Sequence, residues 1–330
     1  MSQRVLITGA SGFIGYHLIK AAQKVGLQVD AAVRSSSKLS HLNALSPRFV
    51  SVDFSAPNSL VKSLEEGQYS HIIHAAGATK AKNIEEYNTI NAEYTRNLAL
   101  AAGQANIPLK KFVFVSSLAA IGPADYHDVH LFTENKKPTP VTAYGKSKLL
   151  AEQYLADISL PLAILRPTAV YGPGEKDLFI VFKMLQDGLD MYIGKEPQRF
   201  SFVYVQDLVN AIMLSLHAEN KNDHTYNISD GNVYNRYELA DTFKDLTGKK
   251  TLRFHIPKGI VTVVANVLEM AYMNSEKAPV LNKEKLHELT APNWACSIEA
   301  AKRDLHYRPV YNLKTGLADS MQWYKDKKWL

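Results

Sequence analysis

The chain has 330 residues, 46% of them hydrophobic and 21% charged, with a formal charge of +6. That length buries a full core in one large or two unequal domains, and the balance is ordinary for a soluble globular protein. The mild, dispersed charge argues against nucleic-acid binding, and the single Cys296 excludes an internal disulfide or a cysteine-rich zinc site.

The opening MSQRVLITGA runs straight into a strand pattern, so no signal peptide is expected, and a reducing cytoplasm fits the lone cysteine. Apolar, β-rich runs then alternate with longer helical patterns. RVLIT, LQVDAAV, RFVSVD, HIIHAA, KFVFVSS and LAILRP read as strands. FIGYHLIKAAQKVG, PNSLVKSLEEG, IEEYNTINAEYTRNLALAAGQAN and AYGKSKLLAEQYLADI read as helices. This spacing predicts an α/β fold, a doubly wound parallel sheet covered on both faces. Beyond about residue 170 the rhythm breaks into shorter, aromatic-rich pieces. The most apolar run there, Ile260 to Met273, is interrupted by Asn266 and Glu269 and is too short to span a bilayer.

TGASGFIG, Thr8 to Gly15, follows the first strand and opens a helix. In that context Gly9 permits a tight turn, Gly12 lets the backbone approach a pyrophosphate, and Gly15 lets helix pack on strand. Ser11, Phe13 and Ile14 share the turn, and the free N–H groups of the helix start would face the phosphates.

The later motifs are HAAG (His74 to Gly77), VSSLAAIG (Val115 to Gly122), YGKSK (Tyr144 to Lys148), LRPTAVYGPG (Leu165 to Gly174) and FVYVQDLVNA (Phe202 to Ala211). With the glycine turn, in this order, they resemble the extended short-chain dehydrogenases/reductases over nearly the whole chain. The pattern is most similar to the dihydroflavonol-reductase-like and 3β-hydroxysteroid-dehydrogenase-like branch. The resemblance implies a Rossmann domain over residues 1–170. Residues 171–330 would form mainly a substrate-binding lobe, interleaved with the last strands and helices of the sheet. It also implies cofactor contacts from Ala75, Ala76, Gly77, Asn91, Pro167, Thr168 and Val170, and a homodimer through the helices bearing Asn91 and Lys148, which carry Leu98, Leu100, Leu149, Leu150 and Tyr154.

About twenty residues beyond the glycine turn stands Arg34, where an acidic residue would bind the adenosine ribose of NAD. Its guanidinium suits a 2′-phosphate instead, with Lys38 and His41 nearby, and Asp30 lies too early in the strand to serve. NADP(H) is therefore the preferred cofactor, with NAD(H) as the alternative. Asp53 and Phe54 close the next strand, where the family holds the adenine ring.

Tyr-x-x-x-Lys occurs three times, at Tyr16/Lys20, Tyr144/Lys148 and Tyr324/Lys328. Only Tyr144 follows a strand ending in serines and begins a helix, with Lys148 on the same face. An adjacent ammonium, the positive helix start and an oxidised nicotinamide would favour the phenolate, making Tyr144 the base in alcohol oxidation and the acid in ketone reduction. Lys148 would also bond the nicotinamide ribose. Ser117 matches the family's carbonyl-holding hydroxyl, with Ser116 as runner-up. Gly145, unfavourable in a helix, suggests a close-lying ligand. The histidines show no metal-ligand spacing, and His74 reads as packing beside the cofactor.

The nucleotide-sugar members place a diphosphate arginine seven residues before the motif aspartate, here Asp207. That position is Phe200, and Arg199 is one residue off. Tyr192, Phe202, Tyr204, Trp294 and the helix after Pro257 could line a pocket for a bulky apolar substrate. The expectation is an NADP(H)-preferring oxidoreductase interconverting a secondary alcohol and a ketone. The alternatives are a nucleotide-sugar epimerase or dehydratase with tightly bound cofactor, and a non-catalytic NADP-binding protein.

Overall fold

The computed structural model describes residues 3–128, 130–218, 225–272 and 281–330, so Met273, the end of the apolar run, lies outside the described residues. Six strands, β1 (Arg4–Thr8), β2 (Gln28–Ala32), β3 (Arg48–Val50), β4 (His71–His74), β5 (Lys111–Val115) and β6 (Leu162–Pro167), are joined by a seventh, Thr225–Ile228. The sheet is parallel, in the order Thr225–Ile228, β6, β5, β4, β1, β2, β3. This is the doubly wound Rossmann-type arrangement.

Both faces are covered, and the side-chain alternation of the strands divides the core. Val113 and Val115 of β5 pack with Ile7, Leu18 and Ile19 on one side. There helix α1 (Phe13–Lys24) lies against the helix Val205–Ser215. Phe112 and Phe114 point the other way, toward Leu60, Leu98 and Leu155. Those residues belong to α2 (Pro57–Gly67), α4 (Tyr94–Gln104) and α5 (Ala143–Ala156). A third cluster, around Tyr171, Phe182, Phe243 and Tyr324, fills the later part of the chain.

Two elements differ from the sequence reading. The third strand ends at Val50, so Asp53 and Phe54 lie beyond it in a turn where Asp53 accepts from the Ser55 N–H at 2.9 Å and hydroxyl at 2.6 Å. The single helix expected from Ile84 onward is divided into α3 (Ile84–Asn88), a π-helical turn (Thr89–Glu93) and α4. Such turns put one extra residue into a helix and re-aim a side chain, here Asn91.

Beneath α5 lies a buried ion pair. Arg166 of β6 donates through Nε to both oxygens of Glu152 at 3.0 and 3.1 Å, and the Ser116 hydroxyl also donates to Glu152. The two side chains are 9% and 6% exposed. Removing one partner strands the other charge, a loss of ~3–5 kcal/mol. Glu152→Ala should therefore lower the urea midpoint by that stability with an unchanged m value, measured by equilibrium unfolding.

Candidate active site

The strand order reverses between β1 and β4, and the crevice at their carboxyl ends is where ligands bind in open α/β sheets. Gly9 follows β1 with φ +68°, and a Cβ there would lie 2.5 Å from the Ala75 carbonyl oxygen. Gly15 is equally constrained, since a Cβ on it would lie 2.7 Å from Ala10 Cα. Gly12 is the exposed N-cap of α1 and supplies no capping side chain, so the first N–H groups of the helix are open to an anion. Ser11, Phe13 and Ile14 are half-buried beside it. Across the crevice, Gly77 is exposed, and a Cβ there would stand 3.0 Å from Asn91 Oδ1 and 3.2 Å from Lys148 Nζ. The open helix start and this bare ribbon fit a dinucleotide.

A chain of hydrogen bonds ties the two rims together. The Thr95 hydroxyl donates to the Asn91 carbonyl at 2.7 Å, so it must accept from His74 Nε2 at 2.8 Å. His74 Nδ1 is then an acceptor for the Thr8 hydroxyl at 2.7 Å, and Thr8 in turn accepts from the Ala76 N–H at 3.1 Å. Every proton in the chain has one direction only. Burial, with Lys148 adding to it, draws the imidazole down to about 3, so His74 stays neutral.

Both N–H groups of the Asn91 amide and one lone pair of its oxygen are engaged within the chain. The amide accepts from the Ala78 N–H at 2.7 Å and donates to the Ala78 carbonyl at 3.0 Å and the Ser147 hydroxyl at 2.9 Å. These bonds hold the loop after β4 against α5.

Ser117, Tyr144 and Lys148 converge at the end of β5. Thr142 caps α5, accepting from the Gly145 N–H at 3.0 Å. Ser117 heads a 3₁₀ turn (Leu118–Ala120), its hydroxyl accepting the Ala119 N–H at 3.1 Å, and lies near enough to the Tyr144 phenol to oppose the rise in its pKa. Ser116, the runner-up, is occupied by Glu152. The reason for Gly145 is also corrected. A Cβ there would press on the Ala119 backbone, with Ala119 C at 3.0 Å, so the glycine lets α5 abut the turn after Ser117 rather than a ligand.

Burial dominates the charge balance of the site in the chain by itself. Burial pushes the Tyr144 phenol up to about 12; Ser117 opposes the rise, and the Glu288 carboxylate and Tyr87 add to it. Lys148 is itself drawn down to about 8 by burial, with Glu152 opposing. Its ammonium donates to the Val115 carbonyl at 2.9 Å and lies 4.7 Å above the Phe114 ring. The resting phenol is a proton-bearing acid. Tyr87, packed edge-on to Tyr144 at 6.3 Å, and Glu284, whose carboxylate accepts the Ala143 N–H at 2.8 Å, complete the surroundings. Neither they nor Thr8, Thr95 and Ser147 were singled out from sequence; Glu284 is brought in from 141 residues away.

The remaining residues are more dispersed. Arg34 lies two residues past β2, exposed, its N–H bonded to the Ser37 hydroxyl at 3.1 Å, with Lys38 exposed nearby. Asp30 is buried and paired with Arg48 at 2.7 Å and the Tyr69 hydroxyl at 2.8 Å. Phe54 stacks on Tyr94 at 6.2 Å, while Asp53 is exposed. Pro167 ends β6, Thr168 donates its N–H to the Ile228 carbonyl at 3.0 Å, and Val170 packs against the core near α1. Phe202 and Tyr204 are core residues, and Tyr204 donates its hydroxyl to Asp319, so they do not line a pocket. Trp294 packs against the small cluster of Leu118, Ile121, Ala124, Phe132 and Cys296. Tyr16 is half-buried on α1, and Tyr324 is buried with its hydroxyl on the Gly172 and Glu175 carbonyls. Arg199 is engaged by the Asp128 carbonyl at 2.8 Å, while Phe200 packs near Phe202.

The neutral histidines have a consequence for stability. An unfolded imidazole gains its proton as pH falls through its ordinary 6.5, whereas folded His74 resists to about 3 and His71, also buried, to about 4. Between those values the unfolded state binds more protons, so stability falls with falling pH. Each such proton contributes ~1.4 kcal/mol per pH unit. His74→Gln should flatten this slope by about one proton between pH 6 and 4, read from urea midpoints across that range.

The model of the NAD dependent epimerase/dehydratase family matches residues 5–229. The chain is similar to a ceramide reductase of Caulobacter vibrioides, 26% identical over 341 residues, covering 99% of this chain and 96% of that protein. It is also similar to a UDP-glucose 4-epimerase of Vibrio cholerae, 27% identical over 272 residues, covering 78% of this chain and 80% of that one. Among solved structures, MoeE5 in complex with UDP-glucuronic acid and NAD superposes with a TM-score of 0.76 at 25% identity, covering 98% of this chain and 99% of that chain.

Proposed function

Since the chain belongs to the NAD-dependent epimerase/dehydratase family, whose members are enzymes of the extended short-chain dehydrogenase/reductase type, we propose that it is an NADP(H)-preferring oxidoreductase interconverting a secondary alcohol and a ketone on a bulky apolar substrate. The observation that carries this reading is the convergence of half-buried Tyr144 at the start of α5, buried Lys148 one turn on with its ammonium on the Val115 carbonyl, and Ser117 in the turn after β5.

A bound nicotinamide supplies the hydride donor or acceptor. The rest falls to the chain. Ser117 holds the substrate oxygen by a hydrogen bond, and Tyr144 delivers its phenolic proton to that oxygen in reduction or removes it in oxidation. Lys148 holds the ribose hydroxyls and returns positive charge to the phenolate. The turn from Gly9 through Ser11, Gly12, Phe13 and Ile14 to Gly15 takes the pyrophosphate at the start of α1. Arg34 and Lys38 take the 2′-phosphate, Asp53 and Phe54 border the adenine, and Ala75, Ala76, Gly77, Pro167, Thr168 and Val170 border the rest, with Asn91 holding the loop in place. We further assign residues 1–170 to cofactor binding and residues 171–330 mainly to the substrate. A cytoplasmic location and a homodimer through α4 and α5 belong to the same reading.

The apolar substrate is supported by the engagement of Arg199 with the Asp128 carbonyl and by Phe200 at the diphosphate position. The similarity to a ceramide reductase agrees with it. A redox-neutral epimerase is the second reading, favoured by the similarity to a UDP-glucose 4-epimerase. Such an enzyme gains by retaining its cofactor between turnovers, whereas a dehydrogenase must exchange it. Mass spectrometry of the denatured protein should find it largely free of nicotinamide, and a panel of bulky ketones should consume NADPH stoichiometrically. Stoichiometric bound NAD with UDP-sugar turnover and no net change in NADPH absorbance establishes the epimerase instead.

A charge-assisted bond contributes ~1.5–3 kcal/mol, so Arg34→Asp should weaken NADPH binding about ten- to hundredfold and leave NADH similar or better, by fluorescence titration. Tyr144→Phe should abolish turnover with cofactor affinity nearly intact, while Tyr16→Phe and Tyr324→Phe retain turnover.

A further inference from the structure

The helix Lys258–Tyr272 is built unlike a core helix. Val261 and Ala265 are its buried residues, while Ile260, Val263, Val264, Val267 and Met270 are 57, 61, 45, 59 and 75% exposed. Their spacing of three and four residues lines them up as one apolar stripe along the outer face. The strand before it, Leu252–Ile256, adds Leu252 at 70% exposed, in register with the exposed Leu189 of the parallel strand Leu189–Ile193. Scattered apolar residues need no explanation, but a stripe of five does.

The charges around this helix indicate what covers it. Exposed Lys249 and Lys250 precede the strand, and exposed Lys258 opens the helix. Exposed Lys195 follows the paired strand at the end where the Gly194 N–H meets the Ile256 carbonyl. Lys283 stands at the far end of the helix, its N–H donating to Glu269 at 2.8 Å. On the same segments the carboxylates are Asp187, Asp190, Glu196 and Glu269. Asp190 is buried and paired with Arg253, and Glu269 is paired with Lys283. Lys195, Lys249, Lys250 and Lys258 therefore face only Asp187 and Glu196, and the rim is net positive.

We propose that this face docks onto a bilayer surface containing anionic lipid, with the helix lying in the interfacial plane. Fifteen residues of helix are ~22 Å long, short of the ~20 residues a span needs, and no helix among the described residues is long and apolar enough to cross a membrane. An apolar face flanked by lysines is the composition of a helix that lies on a membrane rather than through it. The position suits the site. The helix packs on its neighbour Lys283–Thr290, and that neighbour's Glu284 accepts the N–H of Ala143, the residue before Tyr144. A water-insoluble substrate would thus leave the lipid one helix away from the phenol.

The test is sedimentation of the full chain with phosphatidylcholine vesicles, with and without phosphatidylglycerol. The wild type should bind the anionic vesicles. Val263→Glu/Val267→Glu should weaken that binding by about tenfold or more, and so should Lys249→Glu/Lys250→Glu/Lys258→Glu, as should added salt. NADPH titration and the thermal midpoint of each variant should match the wild type, showing that the fold stands. The proposal is overturned if the wild type ignores both vesicles, if the valine variant binds as well as the wild type, or if neutral and anionic vesicles bind alike. It is equally overturned if sedimentation equilibrium shows a dimer that Val263→Glu/Val267→Glu splits, because the face then belongs to a second copy. No turnover is measured, so these outcomes are independent of the reaction assigned above.

Discussion

The candidate site hangs on one neutral imidazole. His74 sits at the end of a central strand and joins Thr8, the residue before the glycine turn, to Thr95 on α4. Thr95 fixes the carbonyl of Asn91, and the Asn91 amide holds both the loop after β4 and Ser147 on α5. The glycine turn after β1 and the start of α5 are thereby set relative to one another through fixed donors and acceptors. A charged imidazole would have two donors and no acceptor, and the bond from Thr8 would be lost. Burial in the sheet core is what keeps the ring in the form the chain requires.

A second constraint is the contact of α5 with the turn after β5. Gly145 lies against the Ala119 backbone, and this approach sets Tyr144 beside Ser117. The phenol's environment then favours its acid form, because packing around the half-buried ring weakens hydration of the phenolate and Glu288 adds negative charge. Lys148 contributes less than a simple pairing argument supposes: it is itself buried, near Val115 and the Phe114 ring.

The α/β alternation was legible because strands and helices differ in apolar period, and LAILRP and PNSLVKSLEEG coincide with their elements. The glycine turn between β1 and α1 and the start of a helix at Tyr144 were legible from local context. What escaped depended on distant partners. Nothing near Gly145 reveals the Ala119 backbone, and nothing near Asn91 reveals that its amide is taken by Ala78 and Ser147. The aromatic residues of the later segment could equally line a cavity or fill a core, and Tyr204 and Phe202 fill the core. Conversely the apolar period of Lys258–Tyr272 reads as a buried helix and is largely an outer surface.

The seventh strand gives the sheet an unusual history during synthesis. Thr225–Ile228 completes the edge beside β6, yet some 58 residues separate it from Pro167. At ~5–20 residues per second, a ribosome needs roughly 3–12 s to make that interval. Throughout it β6, apolar on both faces, presents open backbone groups along one side. The nascent chain therefore passes through a stage in which a nearly finished sheet has a bare hydrophobic margin, and its yield in a cell depends on how that margin is shielded until the last strand emerges.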